Sequence, residues 1–192
     1  MLRKPSQPLV AGEDSESASS AGASGAPPGA RSGGLLEALG FVDSDEPDSD
    51  GLFNGLILPP AHCAFLWRSS FQGFIGFFLA VARGYYDLCW YPLLVTLTSL
   101  NYWRRPDHSW RRYVDMAAIQ CMYYQMWRAF GGAQYWAANF ALVFLAGAWF
   151  FCGVRMFAMK RYWASTLLHF AAHCTSNLSN IVLYIGHVPP PP

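Results

Sequence analysis

The sequence predicts an all-α membrane protein, an up-and-down bundle of about five transmembrane helices behind a disordered amino-terminal tail. Three observations carry that expectation. The chain is 53% hydrophobic and only 13% charged. Nine of its twelve acidic residues precede residue 51, which leaves Asp87, Asp107 and Asp115 for the rest; soluble domains are about 25% charged, so so few carboxylates argue against one. Finally, Trp163 to Ile185 is a run of 23 residues without Lys, Arg, Asp or Glu, long enough for a helix to cross a hydrocarbon core of roughly 30 Å.

Residues 1 to about 33 are mostly Ser, Ala, Gly and Pro. Such a composition buries too little apolar area to offset the entropy of ordering, so disorder is expected. The stretch lacks the unbroken apolar core of a signal peptide, and Glu13, Asp14 and Glu16 do not suit an Arg-rich transit peptide. Leu35 to Val42 precedes the acidic run DSDEPDSD and then GLFNGLILPP. Residues 1–58 as a whole read as a disordered acidic tail whose apolar pieces brush the membrane surface, and 59–187 as the transmembrane domain. The formal net charge of +1 averages an acidic tail with a basic domain. No nucleic-acid partner is expected.

Five spans are expected, at about 61–82, 85–103, 110–130, 133–157 and 163–185. In the first, Arg68 is able to snorkel to the head groups. The second contains Pro92, tolerated where neighbours satisfy a freed carbonyl. The third is the most polar, with Asp115, Gln120 and Gln125, and the fourth is the most apolar. The five cysteines fall one per segment with no CxxC pair, as small buried apolar residues do. Short loops force neighbours to run antiparallel. Alternation then puts the tail, the 104–112 loop and the 155–161 loop on one side, with Arg104, Arg105, Arg111, Arg112, Arg155, Lys160 and Arg161. By the positive-inside tendency that side is cytoplasmic, and the carboxyl terminus lies opposite.

The fifth span carries the chemistry. His169, His173, Asn177 and Asn180 recur four, four and three residues apart, so they share one helical face, with Ser176 beside them. Unpaired imidazoles and amides cost several kcal/mol each in lipid. The stripe must therefore face other helices or a wet cavity. As a hydrogen-bonded seam it would join helices, or a partner protein or second copy, through Ser176, Asn177 and Asn180. As a metal site, Asp115, His169 and His173 would supply imidazole and carboxylate ligands suited to zinc, which could activate a water. Asp115 also has a simpler explanation, an intrahelical ion pair with Arg111 or Arg112.

The segment TSLNYWRRPDHSWRRYVD, followed later by HFAAH, resembles the alkaline ceramidase superfamily, which also holds progestin and adipoQ receptors and haemolysin III-like proteins. The likeness spans roughly residues 86–185. It implies catalytic roles for Ser99 and Asp115, zinc held by Asp115, His169 and His173, and lipid amide hydrolysis. Two departures stand beside it: Trp103 occupies the place of an expected histidine, and five spans replace seven. Three functions follow as expectations: a structural or interaction subunit with a polar seam, a zinc-dependent lipid hydrolase, or a channel or transporter subunit.

Overall fold

The computed structural model describes residues 51–53 and 55–190, so the expectations for residues 1–50 lie outside the described residues. Among the described residues every regular element is helical, apart from one isolated bridge between Phe53 and Leu56. The helices are α1 (Pro60–Ser70), α2 (Gly73–Ala82), α3 (Trp90–Trp103), α4 (Trp110–Gln120), α5 (Met122–Phe130), α6 (Trp136–Ala158) and α7 (Tyr162–Ile185). Two pairs, α1 with α2 and α4 with α5, are single segments interrupted once. Among the described residues the chain thus forms five helical segments.

The interruptions have local causes. Ser69 and Ser70 both donate their hydroxyls to the Leu66 carbonyl, at 2.8 and 3.0 Å. Side-chain competition of this kind bends helices. The amides of Phe71, Gln72 and Phe74 then bond three residues back rather than four, a short 3₁₀ passage. At Cys121 the same tightening appears, with its amide on Ala118 O and its carbonyl accepting from Tyr124. Pro92 falls in the first turn of α3. It removes only an amide that had no intrahelical partner, so no freed carbonyl needs rescue.

The loops bear out the alternation of direction. At one end, Ile57 N donates to Pro106 O at 3.0 Å, and Phe53 meets Tyr162 edge to face at 5.1 Å. Residues 51–53 and 55–58, assigned to the tail from the sequence, are therefore docked on the bundle, with Phe53 and Leu58 buried. Arg104, Arg105, Arg112, Arg155, Lys160 and Arg161 are exposed at this end. At the other end, Arg83 donates to the carbonyls of Tyr184 and Ile185, both at 3.2 Å, where cations suit a helix carboxyl terminus. Tyr85 donates to Gly186 O at 2.7 Å, and Arg128 joins Asp87 (2.7 Å) and Pro189 O (2.8 Å).

The α6–α7 hairpin is the most extensive helix pairing. Its turn is a Schellman motif: Lys160 at φ +58°, with Arg161 N on Met156 O and Lys160 N on Phe157 O. Helix α7 also packs against α1 and α2, and α3 packs against these two and against α4. Helix α7 is thus the element most of the bundle touches.

Two helical segments are long and apolar enough to cross a membrane, Pro60–Ala82 and Trp136–Ala158. The other three differ for physical reasons. Helix α3 has 14 residues, about 21 Å at 1.5 Å per residue. The α4–α5 segment is interrupted and polar, and α7 has the length but carries the polar stripe.

Gly73 marks the tightest helix approach. A Cβ there would lie 2.1 Å from Thr96 Oγ1, whose hydroxyl is held by Pro92 O at 2.6 Å. Gly73→Val is expected to destabilise the fold by about 1–3 kcal/mol through overpacking. Gly147→Ala, with nothing within 4 Å, is expected to stay within ~0.5 kcal/mol or stabilise. Thermal unfolding of the detergent-solubilised protein checks both.

Candidate functional site

The polar face of α7 is buried against the other helical segments, and its polar groups meet several of them. His173 Nδ1 lies 2.9 Å from Ser69 Oγ of α1. Asn180 Oδ1 accepts from Gln125 Nε2 of α5 at 2.7 Å, and the Ser179 carbonyl accepts from Asn139 Nδ2 of α6 at 3.0 Å. Thr166 Oγ1 lies 2.8 Å from His62 Nδ1. His169 is packed by rings: Trp103 at 5.0 Å, Phe150 at 5.7 Å and His173 at 4.8 Å between centroids.

Many polar side chains share the interior with the apolar core, and many large apolar side chains lie outside. Asn139, Thr166, Ser179, His62 and Gln125 are each at most 3% exposed, whereas Phe144, Phe151 and Phe78 are 68%, 72% and 64% exposed. A polar group costs several kcal/mol in hydrocarbon and little in water, so polar residues inside and phenylalanines outside match an apolar surrounding medium.

Asp115 differs from its simplest expectation. Arg111 does not pair with it but with Asp107, four residues earlier, at 2.6 Å, and Arg112 lies 3.1 Å from His108 Nδ1. Hydrogen bonds from Ser109, aided by the Arg111 guanidinium, hold the Asp107 carboxyl below the usual carboxylate range. Asp115 is buried, and its Oδ1 accepts from Ser99 at 2.7 Å and Thr98 at 2.9 Å. Two hydroxyls of α3 thus hold a carboxylate of α4, and the ion pair is replaced by an inter-helix clasp.

Of the residues expected to form a site, Ser99 and Asp115 are bonded to each other, and His169 and His173 are in ring contact. Ser99 and His173 line one cavity of about 60 Å³, together with Ser69, Gln72, Ser176, Asn177 and Asn180. Among the described residues, no three His, Cys, Asp or Glu side chains gather as a ligand set for an ion. The carboxylate faces hydroxyls, and the position of the expected third imidazole holds Trp103, whose buried Nε1 has no partner and cannot ligate. The donors as placed do not fit zinc.

Sequence reasoning missed His62, Ser69 and Asn139 as partners of the stripe. His62 and Asn139 share one signal, a lone polar residue within an apolar run, as Asn139 in WAANFALVF, whereas Ser69 stands in the polar run RSS. A single residue of that kind has no periodicity to mark its face.

Among these contacts the Gln125–Asn180 pair is the easiest to isolate. Gln125→Leu leaves a buried acceptor unmet and is expected to cost about 1–3 kcal/mol. A double-mutant cycle with Asn180→Leu should return a coupling of about 0.6–1.7 kcal/mol, as found for hydrogen bonds within membranes. Equilibrium unfolding in mixed micelles measures it.

No protein-family model, curated protein or solved structure matches this chain.

Proposed function

We propose that the protein is a multi-pass integral membrane component whose five helical segments are held together by the polar seam along α7. The observation that carries this reading is that many polar side chains are buried, several of them hydrogen-bonded between helices, while many large apolar side chains are exposed on the outer surface. The shorter and more polar segments cross by virtue of that pairing, since a group bonded to its neighbour no longer meets lipid. A cytoplasmic setting for the end with the 104–112 and 155–161 loops is supported by their exposed cations through the positive-inside tendency, with Trp110 and Tyr113 (66% and 71% exposed) as interfacial anchors. No reaction is needed to account for the buried polar groups.

Topology gives the test. His108 and His187 are exposed at opposite ends. In a background without native cysteines, His108→Cys is expected to react with an impermeant maleimide only after the membrane is opened. His187→Cys should react in sealed right-side-out vesicles. Labelling of both positions from one side would overturn the five-span arrangement.

A second reading, a zinc-dependent lipid amide hydrolase, is favoured by one observation. Ser99 links Asp115 to the cavity that His173 also lines. It requires the Asp115 carboxylate to leave its hydroxyl clasp, and the likeness it draws on rests on Ser99, Asp115, His169 and His173 alone. Metal content by mass spectrometry, after removal of any tag, decides it. About one zinc per chain, lost in His169→Ala/His173→Ala, favours the hydrolase; folded protein without zinc, purified without chelators, removes it.

A further inference from the structure

The basic end of the bundle carries more positive charge than the described residues around it balance. Arg104, Arg105, Arg155, Lys160 and Arg161 are exposed there, and none forms an ion pair with another described residue. No described carboxylate is left over for them. Beyond residue 51 the chain has only Asp87, Asp107 and Asp115. Arg128 holds Asp87 at 2.7 Å, Arg111 holds Asp107 at 2.6 Å, and the hydroxyls of Ser99 and Thr98 hold Asp115.

The chain enters the bundle at this same end. Phe53 and Leu56 exchange backbone hydrogen bonds at 2.8 and 3.0 Å, and Ile57 N donates to Pro106 O, next to Arg105. Phe53 also meets the ring of Tyr162, which follows Arg161. Gly51, at the start of this turn, is exposed. The eight residues directly before it, DSDEPDSD, hold Asp43, Asp45, Glu46, Asp48 and Asp50 and no Lys or Arg. Eight residues reach at most about 29 Å. Helix α6, with 23 residues, is roughly 35 Å long, so the run reaches across the basic end but not to the opposite one.

We propose that the acidic run 43–50 of this chain docks on the cations of the 104–105 and 155–161 loops, an intramolecular cover that competes with other anions for the same surface. Charge complementarity selects this occupant, and attachment favours it. Exposed ion pairs are individually weak, but a short tether holds the run near its surface at an effective concentration in the mM range. The docking follows from the anchored turn and the unpaired cations, and it does not require the bilayer reading above.

Lys4 and Lys160 are the only lysines in the chain, which makes carbodiimide cross-linking a specific test. The reagent condenses a carboxylate with an amine in contact with it, with loss of water. On the full protein in an uncharged detergent at about 0.1 M salt, peptide mapping is expected to find Lys160 joined, within one chain, to an acid of residues 43–50. At about 1 M salt the screening length falls from ~10 Å to ~3 Å, and the yield should drop several-fold. Arg104→Gln/Arg105→Gln/Arg161→Gln should lower it likewise at the lower salt. A yield indifferent to salt, or Lys160 joined as often to Glu13, Asp14 or Glu16, overturns the proposal without any variant having to fold. In nanodiscs the link should persist when phosphatidylglycerol replaces part of the phosphatidylcholine. Its loss there would show that anionic lipid covers the cations, and a link found only between two chains would make the occupant a second copy; either result overturns the intramolecular cover.

Discussion

The requirement that α7 find partners for its own polar face governs the rest of the bundle. A helix carrying His169, His173, Asn177 and Asn180 on one side cannot face hydrocarbon there. The structure answers with contacts from three neighbours: Ser69 from α1, Gln125 from α5, Asn139 from α6. Distribution matters as much as number. These contacts tie α7 to three segments, with α1 held a second time through His62 and Thr166, and the seam specifies an arrangement that dispersion between apolar surfaces alone would leave loose. Small residues supply the complementary term, with Gly73, Gly76 and Gly153 admitting close approach where the seam draws helices together.

The two ends are secured by different means. One is apolar and aromatic, with Phe53, Tyr162, Leu58 and Trp103 packed beneath a ring of cations. The other is held by hydrogen bonds to the backbone, where Arg83, Tyr85 and Arg128 reach carbonyls beyond Leu183. Backbone carbonyls at a helix carboxyl terminus have no intrahelical partners, and cations there meet the negative end of the helix dipole. The same Arg128 pairs with Asp87, so one guanidinium serves the turn before α3, α5 and the segment after α7.

Much of this was legible from residue spacing. The five segments, their alternation and the face of α7 follow from hydropathy and from the intervals between His169 and Asn180. What the sequence did not reveal was pairing. Asp115 stands within a turn of Arg111 and Arg112, yet Arg111 sits equally close to Asp107, and spacing alone does not choose between two carboxylates. Depth chooses: Asp107 is outside with water and cations, and Asp115 is inside with hydroxyls. The helix breaks were equally hidden, because Ser69, Ser70 and Cys121 carry none of the punctuation that Pro or Gly provides; the bend follows from hydroxyls competing for one carbonyl. Pro92, the residue that looked like a kink, costs nothing where it lies.

The order of partners along the chain bears on how the molecule is made. Ser69, Gln125 and Asn139 all precede the residues of α7 that they contact. During vectorial synthesis the most polar of the long helices therefore emerges after its partners, and the Schellman turn at Lys160 directs it back along α6. On the bilayer reading proposed above, a segment too polar to partition on hydrophobicity alone enters a site already furnished with complementary groups, and its insertion is a docking step templated by the segments that precede it.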